Sequence, residues 1–157
     1  MNDEWRTPKA IFDKLNAEFH FDIDAAATKE NALCPIFFTK EDDALSRDWI
    51  VIPRERRLQA VFVNPPYSRG NLPAFHQKAA QEALKQLVTV VMLVPANTDT
   101  AYWHEWVFGK ASEIRFVKGR ISFDGMESGT PRFSSAIVIY EGADRPRRAR
   151  LATWEQP

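Results

Sequence analysis

The 157-residue chain has a single cysteine, Cys34, which excludes an internal disulfide and a multi-cysteine zinc site. Its histidines, His20, His76 and His104, are scattered without ligand spacing and are expected as surface or capped side chains, so no metal is anticipated. Long apolar runs are absent too. The longest, Leu87 to Val94, is interrupted by Thr89 and falls far short of the roughly 20 residues that a membrane span requires. Met1 to Arg6 has neither the basic nor the apolar segment of a secretory signal, which makes the cytoplasm the expected compartment. Net charge is missing as well: 21 Lys and Arg balance 21 Asp and Glu. A grip on nucleic acid by bulk electrostatics is thereby excluded, and phosphate contacts would have to come from local clusters. Two such clusters stand out, Arg54, Arg56 and Arg57, and Arg145, Arg147, Arg148 and Arg150.

What is present suffices for one folded domain. The chain is 45% apolar and 12% aromatic, and a chain of this length buries roughly 68–70% of its unfolded surface. Short β-rich runs alternate with helical stripes, the signature of an α/β domain on a largely parallel sheet. Pro8 precedes an apolar stripe at Ile11, Phe12, Leu15 and Phe19, which predicts a first helix. Phe21–Ala25 reads as a short strand and Thr28–Leu33 as helical, while Ile36–Phe38 is a possible strand and Asp42–Leu45 a turn or helix start. Pro53–Gln59 is charged and reads as a surface loop, after which Ala60–Val63 is a continuous apolar run of the buried parallel type. Leu72–Leu87 predicts a helix with Phe75, Ala79, Ala80, Ala83, Leu84 and Leu87 on its apolar face. Val88–Val94 follows as a central strand, and Ala101–Phe108 as a short helix whose aromatic residues are core, Trp103 being the most exposed of them. Glu113–Val117 and Ser135–Tyr140 read as strands of a long antiparallel hairpin. No element is predicted beyond Gly142, where the chain is polar and Arg-rich.

The most informative junction is Asn64-Pro65-Pro66-Tyr67, which stops the Ala60–Val63 run. Ligands of open α/β sheets bind at the carboxyl ends of the strands, where this tetrapeptide stands. Two prolines fix the backbone and contribute no N–H, so the loop offers acceptors rather than donors. An amide oxygen beside a fixed carbonyl, with an aromatic ring close by, suits a flat group carrying an NH2. Accepting both hydrogens of a nucleobase amine, on Asn64 Oδ1 and the Pro65 carbonyl, would push its delocalised nitrogen toward a nucleophilic, pyramidal geometry. Tyr67 would stack on the base face. An activated methyl donor held in line would complete such a site, with no covalent enzyme intermediate.

Trp5-Arg6-Thr7-Pro8, Phe21-Asp22-Ile23-Asp24-Ala25-Ala26-Ala27, Asn31, Asn64-Pro65-Pro66-Tyr67-Ser68 and Pro95-Ala96-Asn97-Thr98 together resemble the phage-type DNA N-6-adenine methyltransferase family, over roughly residues 5 to 140. The resemblance implies a Rossmann-like, S-adenosylmethionine-dependent methyltransferase fold, α/β with a mostly parallel sheet and a C-terminal antiparallel hairpin. It implies that residues 1–142 form the methyltransferase domain, followed by an Arg-rich tail over 143–157. It implies that Asn64, Pro65, Pro66 and Tyr67 hold an adenine flipped out of double-stranded DNA, with S-adenosylmethionine as the cofactor. Trp5, Thr7, Pro8, Asp24, Ala25 and Ala26 would border the cofactor, and Asp43, or its neighbour Asp42, would approach the cofactor's adenosine. Relatives from phages suggest DNA marking against restriction.

Two departures accompany the resemblance. The turn after the first strand, Asp24 to Ala27, lacks the glycines many methyltransferases carry there, and only 34 residues separate Ala25 from Ala60, which predicts a fold reduced by about one strand. With no room for a separate recognition domain, DNA contacts are expected from loops, with Ser68, Arg69 and Arg120 as candidates. Cytosine C5 methylation is rejected, because Cys34 precedes Pro35 rather than following a proline and lies well before the catalytic strand; a small buried residue is expected there. The alternatives are a methyltransferase of a protein glutamine amide or an RNA base, and a non-catalytic DNA- or cofactor-binding relative.

Overall fold

A computed structural model of the chain describes residues 5–50, 60–126, 129–142 and 148–157. The loop expected at 53–59, with its arginine cluster, and Arg145 and Arg147 lie outside the described residues. Helix α1 (Lys9–Phe19) buries Ile11, Phe12 and Leu15, the stripe set by its apolar spacing. It stops at His20, whose left-handed φ of 56° turns the chain, and the Asn16 side chain closes that turn by accepting the Phe21 amide at 2.7 Å. Strand β1 (Phe21–Asp24) leads to β2 (Ile36–Phe37), only two residues long, as the short spacing before Ala60 predicts. Strand β3 (Ala60–Val63) is buried throughout, and α2 (Asn71–Gln86) follows it.

Strand β4 (Thr89–Pro95), a π-helix (Trp103–Val107), β5 (Glu113–Lys118), β6 (Ser135–Glu141) and β7 (Arg150–Glu155) complete the order. The strands form one sheet of seven in the order β2-β1-β3-β4-β6-β5-β7, so the expected loss of about one strand is corrected: β2 is short rather than missing, and β7 adds an edge strand beside β5. Strands β2, β1, β3 and β4 run parallel, β6 is antiparallel to both β4 and β5, and β7 is parallel to β5. Strands β4 and β6 pair over seven residues, from Thr89–Glu141 to Pro95–Ser135, and form the buried centre of the sheet. The α/β class, the mostly parallel sheet and the antiparallel hairpin agree with the sequence.

Several expectations are corrected. Thr28–Leu33 makes one turn rather than a helix, because Asn31 Oδ1 takes the Thr28 amide at 2.6 Å and Asp24 Oδ2 takes the Leu33 amide at 3.2 Å, which diverts the chain before Pro35. Strand β7 lies where no element was predicted. Trp154 is buried and Leu151 exposed, so its pattern carries little of the alternation that marks a strand. In α2 the apolar buried face is Leu72, Phe75, His76, Ala79, Ala80 and Ala83, whereas Leu84 is exposed because it rotates past that face and Leu87 because it lies beyond the helix as its left-handed C-cap, with φ of 54°. Trp103 is fully buried: it lies in a π-wound turn, which re-aims side chains relative to α spacing. His76 is likewise core rather than surface. Its Nδ1 lies 2.9 Å from the Tyr140 hydroxyl, which itself donates to the Trp106 carbonyl at 3.0 Å, so Nδ1 is the donor. Burial pushes the His76 imidazole down to about 3, and it is neutral at neutral pH.

Among the described residues no helix is long and apolar enough to cross a membrane, and no group of His, Cys, Asp and Glu side chains is arranged to hold a metal ion.

Candidate active site

A cavity of about 480 Å³ opens at the carboxyl ends of β1, β2 and β3. Its size is that of a small-molecule site. Trp5, Thr7, Asp24, Ala25, Ala26 and Asp43, six residues singled out from the sequence, line it together with Asn64 and Pro66. Pro8 does not line it; its carbonyl accepts from the Ile11 and Phe12 amides and starts α1. Sequence reasoning missed Phe38 and Lys40, which also line the cavity, and expected Asn71, another lining residue, on a DNA-contacting loop instead. The only signal of the first two was position, just after β2.

Asp24 ends β1 almost fully buried, and burial pushes its carboxyl up to about 6 against the opposing pull of the Leu33 and Ala26 amides that it accepts. The two bonds, at 3.2 and 3.4 Å, fold the glycine-free turn around the carboxylate, which explains how alanines suffice there. On the far wall the structure separates the two neighbouring acids. Asp42 is occupied: Oδ2 accepts from the Thr39 amide and hydroxyl, both at 2.9 Å, and Oδ1 from Arg47 at 3.2 Å. Asp43 takes a left-handed φ of 48°, which Asp tolerates, and borders the cavity. Between the acids, Phe38, Ala44 and Leu45 give an apolar stretch. Ala44 is held from behind, since its carbonyl accepts from Trp49 Nε1 at 2.8 Å and the Trp49 amide donates to the buried Glu82 carboxylate at 3.1 Å.

At the inner end of the cavity stands Asn64. Its Nδ2 donates to the Trp5 carbonyl at 3.3 Å, and its Oδ1 accepts from the Tyr67 hydroxyl at 2.8 Å. These partners fix which end of the amide is oxygen, and one lone pair of Oδ1 is left over. The Tyr67 hydroxyl also reaches the Leu93 carbonyl at 3.1 Å, tying the proline loop to β4. Tyr67 departs from the expected stacking face: its ring is buried and meets Trp5, Phe123 and Phe133 edge-on, at interplanar angles of 81° to 90°. Burial raises its hydroxyl pKa well above the ordinary value, so it stays a donor. Pro65 is buried beside it.

The chain belongs to the DNA N-6-adenine-methyltransferase family. The family of that description (Dam) matches residues 1–148. A DNA N-6-adenine-methyltransferase of Escherichia phage T1 is 32% identical over 125 residues, 79% of this chain and 48% of the relative. One from Haemophilus phage HP1 is 32% identical over 130 residues, 81% of this chain and 69% of the relative. The chain thus spans about half the length of the T1 protein. A solved structure of a Listeria monocytogenes protein assigned as a class I S-adenosylmethionine-dependent methyltransferase has the same fold, with a TM-score of 0.51 at 15% identity, covering 90% of this chain and 52% of that one.

The remaining candidates of this family member fall elsewhere. Ser68 and Arg69 border a second cleft of about 510 Å³ on the other side of Tyr67, walled also by Asn97, Thr100 and Tyr102. The Ser68 hydroxyl accepts from Asn71 Nδ2 at 2.6 Å, and Arg69 is exposed. Arg120 follows β5 and donates to the Pro131 carbonyl at 2.9 Å, which braces the β5–β6 connection. Cys34 is buried, and burial, with Asp24 and Asp22 adding negative charge, pushes its thiol up to about 12. It is no nucleophile at neutral pH.

Proposed function

We propose that this chain methylates the N6 amino group of an adenine flipped out of double-stranded DNA, with S-adenosylmethionine as the methyl donor. The observation that carries the reading is Asn64, with its amide oriented from both sides, its Oδ1 retaining one free lone pair, and its place at the end of a cavity between two acids. The cavity fits the cofactor by the chemistry of its walls. Asp24 would hold the cationic methionine end beside Ala25 and Ala26, Thr7 would cover it, and Asp43 would accept from the ribose hydroxyls while Phe38, Ala44 and Leu45 pack on the flat base. When bound, S-adenosylmethionine supplies an electrophilic methyl group on a sulfonium.

The chain's own part is to orient and to withdraw hydrogens. Asn64 Oδ1 and the Pro65 carbonyl accept the two hydrogens of the adenine amine, which localises its lone pair for attack on the methyl carbon. With the donor bound, the N–C bond would form as the S–C bond breaks, the bonding pair leaving on sulfur as the neutral thioether, and the methylated nitrogen would then lose one of its two protons to solvent. Because Oδ1 sits against the Tyr67 hydroxyl before substrate arrives, the acceptor is pre-oriented and costs little reorganisation as positive charge develops on the nitrogen. Ser68 and Arg69, beside the second cleft, and Arg120, on the β5–β6 connection, contact the DNA. With zero net charge on the chain and only Arg69 and Arg120 charged among these contacts, few phosphates are neutralised and that binding falls shallowly with salt, by a log–log slope of about −0.9 per phosphate.

The test is to incubate the protein with methyl-labelled S-adenosylmethionine and, in parallel, duplex DNA, RNA and a glutamine-containing peptide, then identify the labelled product by mass spectrometry. Labelled N6-methyladenine from DNA supports the reading. Label only in RNA or in glutamine moves the substrate class while leaving Asn64 its role. Cofactor binding without transfer to any of them leaves a binding protein.

A further inference from the structure

Trp5 has an unusual seat. Its indole stacks on Phe123 and Phe133, with ring centroids 5.9 and 5.8 Å away and interplanar angles of 19° and 27°. The two phenyl rings are themselves 6.3 Å apart and tilted by 46° to each other, so they form a V-shaped floor to one side of the indole rather than opposite walls about its centre. Tyr67 stands perpendicular at the edge, 6.5 Å away. The same residue shares the cavity wall with Asn64 and gives Asn64 Nδ2 its acceptor at 3.3 Å. A bicyclic aromatic ring therefore lies on a two-ring floor, in a residue whose backbone carbonyl holds the amide proposed to receive the substrate's amine. Indole and purine are both planar fused six- and five-membered rings of closely similar outline.

We propose that Trp5 is an internal stand-in for the target base: in the free protein its indole occupies the floor formed by Phe123 and Phe133, and an extruded adenine takes that floor only when the indole leaves. This rests on the adenine reading above and goes beyond it, by naming both the floor and the side chain that guards it. The exchange replaces one aromatic face by another, so the floor is covered both before and after base entry. A swing about the Trp5 side-chain torsions leaves the Trp5 carbonyl on Asn64 Nδ2 and keeps the amide oriented. The segment stays anchored meanwhile, because Arg6 and Asp124 exchange two backbone hydrogen bonds, at 2.9 and 3.0 Å. Thr7, two residues along, lines the cofactor cavity, so the strap that carries the stand-in also covers the methyl donor.

The experiment is fluorine NMR of protein carrying 5-fluorotryptophan at its five tryptophans, with the Trp5 resonance assigned by its loss in Trp5→Phe or, independently, in Trp5→Tyr. Spectra are compared free, and saturated with S-adenosylhomocysteine plus a duplex that the wild-type protein methylates. The expected result is that the Trp5 resonance leaves its ring-stacked position and gains the full H2O/D2O isotope shift of an exposed ring, while the other four stay in place. With the same duplex lacking only the target base, an abasic site, Trp5 is expected to remain seated. An unmoved Trp5 in the complete complex would overturn the proposal with the adenine reading intact. So would equal displacement by the abasic duplex, since the DNA backbone rather than the base would then move it. If no duplex is methylated in the separate activity assay, the adenine reading fails and the stand-in fails with it.

Discussion

Replacing Asn64 by alanine removes two hydrogen bonds, from Nδ2 to the Trp5 carbonyl and from the Tyr67 hydroxyl to Oδ1. Neither loss strands a buried group, because the Tyr67 hydroxyl keeps the Leu93 carbonyl at 3.1 Å and Trp5 is only half-buried. The stability cost is therefore that of two ordinary hydrogen bonds, about 1 kcal/mol each, which for a chain of this size together move the melting temperature by about 4–8 °C. The catalytic cost is of another order. Losing a pre-oriented group that meets developing charge lowers turnover by about 10²–10³, or about 2.7–4 kcal/mol. The cavity walls at Asp24 to Ala26 and Asp43, the proposed cofactor contacts, are untouched. Single-turnover transfer of labelled methyl, a thermal melt and calorimetric titration of S-adenosylhomocysteine separate the three quantities. Turnover within about threefold of wild type, in a protein that melts and binds cofactor normally, would refute the reasoning. Tyr67→Phe, which removes only the tether, is expected to cost less, about tenfold.

Three other changes test the scaffold. Asp24 has its carboxyl at about 6 in the folded chain against an ordinary 3.8, so its contribution to stability is complete below about pH 4 and is lost as the pH rises through 6. Asp24→Asn should flatten that fall by up to about 3 kcal/mol, read from denaturant midpoints at pH 4.5 and 7.5, and parallel profiles for the two proteins would contradict it. Gly142→Ala would drive a Cβ into the Ala83 carbonyl, where β6 meets the end of α2; a loss of at least about 1–3 kcal/mol is expected in the same assay, and a neutral result would contradict the close approach. Glu82→Gln breaks the buried pair with Lys78, 2.8 Å away, and weakens the acceptor of the Trp49 amide. A loss of about 1–3 kcal/mol is expected, with weaker S-adenosylhomocysteine binding because Trp49 holds Ala44 in the cavity wall, and unchanged affinity would detach Glu82 from the site.

Much of the scaffold was legible because it is written in periodicity. The stripe at Ile11, Phe12 and Leu15 and the unbroken apolar run at Ala60–Val63 each report one buried face, and the structure buries both. Five residues that line the cavity, Trp5, Thr7, Asp24, Ala25 and Ala26, were legible for a different reason, as parts of an ordered set of short motifs that resembles a family. What was not legible depends on tertiary contact. The Thr28 turn is decided by Asp24 reaching forward to Leu33, and β7 by the free edge of β5. The choice between Asp42 and Asp43 followed from which carboxylate Thr39 and Arg47 had already engaged. Likewise Phe123 and Phe133 are ten residues apart in a turn-rich connection, and only folding brings both rings beneath Trp5.

The central claim is that the cavity and Asn64 together bring a methyl donor and an adenine amine to one point. A crystal structure of the protein with S-adenosylhomocysteine and a duplex that it methylates tests this most directly. The account predicts the cofactor's amino-acid end at Asp24, its ribose at Asp43, and an extruded adenine whose N6 lies within hydrogen-bond distance of both Asn64 Oδ1 and the Pro65 carbonyl. An adenine still stacked in the duplex, or extruded with its amine away from Asn64, would contradict it.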